Sequence, residues 1–249
     1  MATGTNRGRT LERAFGILRC LETSRSPMRL SEVARAAGLH IATAQRILGT
    51  LIELGYVQLS DQRYSLGPVV LAQAHAFVLQ DPVAKAAQPV LAELSQDTGL
   101  TSSVWVRVGA ERILTVRIEA PTPLRYQFPV GRRLPLDVGG GKVLLAHMPE
   151  EEAEALLADY TGRTLATGNE QTRDDLLEEM AEIRAQGYYL ADSERHLGSR
   201  SVTTIIRTEE GGVVGALNVV STDEATGADE LRRRVPDLLR AAELIGSRR

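Results

Sequence analysis

The chain has 249 residues, a formal net charge of −3 and 43% hydrophobic residues. That length suits one or two domains, and the apolar fraction is enough to fill their cores, which excludes a disordered chain. One cysteine, Cys20, excludes an intrachain disulfide framework, and four scattered His show no ligand spacing, so neither a metal site nor a cofactor is expected.

The overall acidity argues against a nucleic-acid binder, but the charge is divided. Residues 1–66 carry nine Arg, no Lys and five acids, a balance of +4, which leaves −7 for the rest. A basic head on an acidic body fits an electrostatic footprint confined to one domain. No stretch approaches the ~18 apolar residues of a membrane span. Residues 1–10 lack the apolar core of a signal peptide, so a flexible basic tail and a cytoplasmic location are expected.

In chain order, Leu11, Phe15, Leu18 and Leu21 share one face of a helix over residues 9–22, which should brace the next two helices. Pro27 punctuates a loop, and Arg29 after it is a candidate phosphate contact. Ser31 is the expected N-cap of a short helix with Val33, Ala34 and Ala37 as its apolar stripe, and Gly38 is its natural stop. A second helix runs to residue 54 with Ala44, Ile47, Leu48, Leu51 and Leu54 on one side. Its other side carries Ala42, Gln45, Arg46, Gly49, Thr50 and Glu53. Two short strands, residues 56–59 and 63–66, flank Ser60-Asp61-Gln62. Helix, glycine turn, helix and hairpin make a winged helix-turn-helix.

A reading helix buries one side and offers polar groups to base edges on the other. Gln45 suits adenine, and Arg46 suits guanine or phosphate. Thr43 and Thr50 suit phosphates or a thymine methyl. Gly49 permits close backbone approach, His40 sits at the helix start, and Arg63 is placed to grip phosphate from the wing. An ordinary solvated helix face is the alternative. The coincidence of hairpin, glycine turn and basic face favours DNA.

Gly67-Pro68 marks a boundary. Residues 69–79 form a helix apolar on nearly all sides, ended by Asp81-Pro82. Such a helix must be buried, and between two domains a partner chain is the expected cover, with packing on its own body as the alternative. From Val83 the pattern is α+β. It comprises a helix stopped near Thr98-Gly99, a hairpin over residues 101–118, and a Pro- and Gly-rich segment over 121–136. Gly139-Gly140-Gly141 then leads into a short helix, succeeded by surface helices at 150–157 and 174–186. Strands are expected at 188–190, 201–208 and 213–220, and a closing helix at 231–245. The expected domains are residues 1–67 (DNA-binding), 68–81 (linker helix) and 82–249 (sensor).

These residues resemble the IclR-type transcriptional regulators over nearly the whole chain. The family's reading helix runs close to Gly-Leu, then Ser-Thr-x-x-Arg-Leu-Leu. Here Gly38-Leu39 precedes Ala42-Thr43-Ala44-Gln45-Arg46-Ile47-Leu48, and Leu51, Leu54, Gly55 and Tyr56 continue into the wing. Gly131-Arg132-Arg133-Leu134-Pro135-Leu136 resembles the family's Gly-x-x-Leu-Pro-Leu. Gly141-Lys142-Val143-Leu144-Leu145-Ala146 resembles its Gly-Lys-x-x-Leu-Ala, and Gly187-Tyr188, Glu194 and Gly198 resemble its late motif. The resemblance implies a GAF-like effector-binding domain, a homodimer or dimer of dimers, operator DNA as partner and small organic acids or aromatic metabolites as effectors. Repression is the commonest outcome in the family.

Four departures stand out. Val138-Gly139-Gly140-Gly141 replaces Thr-Ala-x-Gly, Ala42 replaces a Ser, Ala191 stands where a carboxylate is common with Asp192 beside it, and Thr203-Thr204 replaces a small apolar pair. By position, the effector pocket is expected between the Gly139-Gly140 loop, the strand from Ser201 and the strand around Asn218. Exposed amides in the loop favour an anion. Arg125 is placed to pair with it, and Ser201 and Asn218 to orient it, with Asp192 as a further candidate effector contact. Satisfied strand neighbours and a solvated Arg are the alternative.

The Walker spacing is absent, since Val143 follows Lys142. A rival reading is an enzyme using His147, His196, Asp192 and Ser201, although no nucleophile–base–orienter spacing links them. A further one is a regulator that no longer binds effector.

Overall fold

The computed structural model describes residues 4–120, 128–221 and 226–248, with side chains from residue 8 onward. The chain divides into two compact units, Met1–Gln80 and Asp81–Arg249.

The N-terminal unit begins with α1 (Gly4–Thr23), so the tail expected to be flexible is helical from Gly4 on. β1 (Met28–Arg29) and α2 (Leu30–Ala36) come next. Ser31 is therefore inside α2, not its N-cap. The cap is Arg29, whose backbone N–H donates to Glu32 Oε2 at 2.7 Å. Gly38, at φ 65°, closes α2, with the Leu39 N–H reaching back to the Ala34 carbonyl at 2.8 Å. α3 (Ile41–Glu53) ends the same way at Gly55.

β2 (Val57–Ser60) and β3 (Arg63–Leu66) form the wing, and β1 adds to β3, a pairing too short to announce itself in sequence. Asp61 and Gln62 both take positive φ, as a two-residue turn of the type I′ family requires. The core joins Ile17, Leu21, Val33, Ala34, Ala44, Ile47, Leu48, Leu51 and Val57.

Two expected core residues of α1 are not there. Leu11 is 60% and Phe15 61% exposed, because the buried face of α1 is centred on Ile17, half a turn away. Leu54, expected on the buried side of α3, is 58% exposed as well. α4 (Val69–Gln80) closes the unit. Gln73 on α4 donates to the Tyr56 hydroxyl, yet no α4 residue is buried, and Leu71 is 74% exposed.

The C-terminal unit opens with α5 (Pro82–Thr98). Asp81 caps it, accepting from the Val83 and Ala84 amides at 3.4 and 3.1 Å. The chain continues through β4 (Thr101–Val108), β5 (Glu111–Ile118), β6 (Arg133–Pro135), α6 (Gly141–Ala146) and α7 (Glu150–Leu157). A two-strand ribbon, β7 (Arg163–Thr164) and β8 (Glu170–Gln171), precedes α8 (Arg173–Gln186). Then come β9 (Tyr188–Asp192), β10 (Arg200–Arg207) and β11 (Val213–Ser221). The closing helix is two helices, α9 (Ala228–Arg233) and α10 (Val235–Ser247), because Pro236 cannot continue α9 and instead suits the first turn of α10.

One antiparallel sheet runs β6-β5-β4-β11-β10-β9. Strand alternation sends Val104, Val116, Val202, Leu217 and Val219 to a face covered by α5 and α10. Trp105, Leu114 and Ala216 face the opposite way, under α6, α7 and α8. Among the described residues no helix is long and apolar enough to cross a membrane.

Leu48 is fully buried where α3 meets the rest of the head. Leu48→Ala is expected to destabilise the N-terminal unit by about 2–5 kcal/mol. Chemical denaturation checks this, and a loss well below that range would show that the core collapses around the gap.

Candidate nucleic-acid and effector sites

Burial of Ala44, Ile47, Leu48 and Leu51 fixes the rotation of α3. That rotation leaves Ala42, Gln45, Arg46 and Thr50 exposed, with Thr43 and Gly49 half-buried. The Gln45 and Arg46 side chains make no hydrogen bond or ion pair with described residues, so their donors are available. A Cβ built on Gly49 meets nothing within 4 Å, so packing inside the protein does not demand glycine there. His40 is the exposed N-cap of α3, while Arg29 and Ser31 lie exposed at the start of α2.

Arg63 differs from expectation. Its Nη1 donates to the Pro27 carbonyl at 3.0 Å and lies 4.0 Å from Glu32, so it ties the wing to the loop before α2, and the wing tip itself is Asp61-Gln62.

In the C-terminal unit the sheet registers align Arg117, Ser103, Asn218, Thr203 and Tyr189 in one cross-strand row on the face shared with Trp105. Asn218 Nδ2 donates to Thr203 Oγ1 at 2.8 Å, and Trp105 Nε1 to Ser103 Oγ at 3.1 Å. Gly140 abuts this row. A Cβ on it would lie 2.2 Å from Thr203 Oγ1 and 2.9 Å from Arg112 Nη1. Gly139, Gly140 and Asn218 are therefore gathered at one place, with Ser201 two residues along β10 on the same face.

Asp192 is not part of that group. Its neighbour Ala191 pairs with Ser201, so alternation turns Asp192 to the other face, where it holds Arg200 Nε at 2.9 Å. It cannot replace a carboxylate missing at Ala191. Arg125 lies outside the described residues.

The glycine loop also departs from expectation. It is buried, and three of its amides, those of Gly139, Gly141 and Lys142, are engaged internally. The Gly139 N–H donates to Glu194 Oε2 at 2.8 Å, and the Gly141 and Lys142 amides close onto the Val138 and Gly139 carbonyls. The anion facing this loop is the protein's own Glu194.

Glu194 belongs to a charge cluster that residue types alone did not reveal. Lys142 Nζ is fully buried, 2.6 Å from Glu179 Oε2, 2.9 Å from Glu194 Oε2 and 3.0 Å from the Tyr189 hydroxyl. That hydroxyl in turn lies 2.9 Å from Glu179 and 2.5 Å from Glu194. Burial, reinforced by the two carboxylates, raises the Tyr189 pKa, so the phenol keeps its proton and donates it.

The groups of the enzymatic reading are not assembled. His147 Nδ1 contacts the Val143 carbonyl at 2.9 Å, His196 packs near Phe128, and Asp192 and Ser201 face opposite ways. No cluster of metal-ligand type occurs among the described residues.

Residues 75–247 match the family described as bacterial transcriptional regulator IclR C-terminal, and residues 10–61 match the IclR helix-turn-helix domain. The HTH-type transcriptional regulator XynR of Escherichia coli K12 is 30% identical over 213 residues, covering 84% of each chain. A crystal structure from Rhodococcus sp. RHA1, of a protein assigned as a transcriptional regulator, is 31% identical with a TM-score of 0.77, over 96% of this chain and 97% of that one. An IclR homologue from Microbacterium hydrocarbonoxydans, complexed with 4-hydroxybenzoate, shares the fold at 21% identity and a TM-score of 0.76, over 96% and 98% of the two chains.

Removing Lys142 leaves two carboxylates facing each other around a phenol. Lys142→Met is expected to destabilise the C-terminal unit by about 3–5 kcal/mol. A denaturation midpoint close to that of the parent protein would contradict this account of the cluster.

Proposed function

This chain belongs to the IclR family of bacterial transcriptional regulators, and we propose that it is a repressor whose hold on operator DNA is released by a small organic acid bound in the C-terminal unit. The observation that carries the DNA half is the rotation of α3, which leaves Gln45 and Arg46 exposed beside a glycine that internal packing does not require. Arg46 is suited to bidentate pairing with guanine and Gln45 with adenine. Arg29, Ser31, His40, Thr43 and Thr50 are assigned to backbone positioning, which fixes register without reading sequence. Arg63 serves by holding the wing in place.

The effector half draws support from the polar row beside Gly140, and from the Microbacterium homologue, whose bound 4-hydroxybenzoate is an aromatic carboxylate. Gly139, Gly140, Ser201 and Asn218 are assigned to this pocket.

The chain is further proposed to act as a homodimer or a dimer of dimers. The apolar α4, with Leu71, Phe77 and Leu79 exposed, needs a cover, and a second copy presenting the same helix meets it symmetrically. Two reading heads then address two half-sites. An effector changes DNA affinity only by binding the competent and incompetent arrangements unequally, so the coupling is a difference between two affinities.

A gel shift on DNA upstream of the protein's own gene, with a panel of small organic acids, tests the reading. The expected result is a specific complex whose affinity falls steeply with salt and which one acid dissolves. Arg46→Ala is expected to weaken specific binding about five- to a hundredfold. Gly49→Ala, by contrast, should stabilise the ligand-free head slightly through helix propensity while weakening the complex. Specific binding unaltered by Arg46→Ala would sink the assignment of α3.

A further inference from the structure

Arg112 is 4% exposed, yet no carboxylate among the described residues pairs with it. Its side chain crosses the sheet face with the guanidinium 4.7 Å above the Trp105 ring. Of its five N–H groups, Nη2 has one long contact, 3.5 Å to the Val138 carbonyl, and Nε has no partner among the described residues. Nε and Nη2 form the edge with which arginine grips carboxylates side-on. Arg163 in the same unit uses that edge fully, holding Asp137 at 2.7 and 2.8 Å. In Arg112 the same edge holds no carboxylate among the described residues, only the long Nη2 contact to the Val138 carbonyl.

Nearby charge deepens the deficit. Burial pulls the Arg112 pKa down to about 9, Arg195 pushes the same way, and only Glu194 opposes them. Glu194 is already engaged by Lys142, Tyr189 and Gly139. Arg195 in turn lies 4.3 Å over the Phe128 ring, with Arg132 at 6.0 Å. A buried cation left without a partner is strongly unfavourable. The room Arg112 occupies depends on Gly140, where any Cβ would come within 2.9 Å of Nη1.

We propose that Arg112 is the anion anchor of the effector site in this chain, gripping a ligand carboxylate through Nε and Nη2, with Gly140 as the clearance that lets its guanidinium reach the polar row. This rests on the effector reading above and names the group that selects the ligand. The ligand is a carboxylic acid small enough to reach the sheet face beside Trp105. Its neutral amide is excluded, because an amide leaves the buried charge uncompensated.

Trp105 is the chain's single tryptophan, so its fluorescence reports on the ground beneath Arg112 without a label. Full-length protein is titrated with benzoate, 4-hydroxybenzoate, succinate and pyruvate, each against its amide. The expected result is a saturable change in Trp105 emission with at least one acid and none with its amide. Arg112→Gln is expected to weaken that response at least about thirtyfold.

A second measurement is independent of ligand identity. Replacing an uncompensated buried charge by an apolar side chain of similar length relieves the ligand-free protein, so Arg112→Met is expected to raise Tm in the absence of ligand. A structural arginine would do the opposite, and a clear fall in Tm would overturn the proposal. So would an acid response that survives Arg112→Gln, although effector control itself would then stand. Release of DNA by a neutral metabolite, with no acid acting on Trp105, would likewise overturn the anchor while sparing the regulator. Failure of the protein to bind DNA at all would strike the wider reading and leave the Trp105 titration to decide the anchor.

Discussion

A charge taken out of water needs a partner, and this constraint governs how the C-terminal unit is put together. Lys142 sits at the start of α6 with no exposure, and it is tolerated because α8 supplies Glu179, β9 supplies Tyr189 and the loop after β9 supplies Glu194. Those three groups come from separate elements, so satisfying one ammonium fixes α6, α8 and the β9 end against one another. Glu194 extends the tie to the Gly139 amide and thereby sets the glycine loop on the sheet. Arg163 and Asp137 do the same between the β7–β8 ribbon and the segment before α6, where Gln171 adds a bond to the Asp137 carbonyl at 2.8 Å. Such networks contribute less net stability than their contacts suggest, because desolvation offsets much of the attraction. Their effect is on geometry. Each permits one arrangement and penalises the others.

That geometry is what the sheet face requires. Arg117, Ser103, Asn218, Thr203 and Tyr189 align across five strands only because each register places its residue on the same side. A shift of one residue in any strand would bury the wrong set. Asp192 illustrates the point. It neighbours Ala191 in sequence, but strand parity sends it to the opposite face, where Arg200 claims it.

Much of the architecture was legible in the sequence, and the failures have identifiable physical causes. The strands at 101–108 and 213–221 and the helices α3, α7 and α8 announce themselves through period and caps. β1 does not, since two residues carry no periodicity. α1 misled because Leu11, Phe15, Leu18 and Leu21 look as convincing a stripe as the one centred on Ile17, and only packing against α2 and α3 chooses between them. In the C-terminal unit the glycine run was visible, but the internal bond to its first amide was not. The Gly139 amide looked free for a ligand because Glu194, more than fifty residues on, was not known to reach it. Arg112 escaped notice for the same reason. Its meaning depends on Trp105, Gly140 and Thr203, which only the folded sheet brings together.

The N-terminal unit presents the opposite problem, an excess of uncovered apolar surface. Its core is a small cluster under three short helices and a wing, and domains of this size bury proportionately little surface. Meanwhile Leu11, Phe15 and Leu54 stand exposed on α1 and α3, and α4 buries no residue. A groove lined by Leu11, Phe15, Leu18, Leu51 and Leu54 also touches Arg46 and Thr50. Whatever covers this groove therefore bears on the same helix that carries Arg46. If a second copy covers α4 or the groove, association adds the stability that the small core lacks and sets the spacing of the two α3 helices in one step. Folding of the head and any association through α1, α3 or α4 therefore draw on the same uncovered apolar surface.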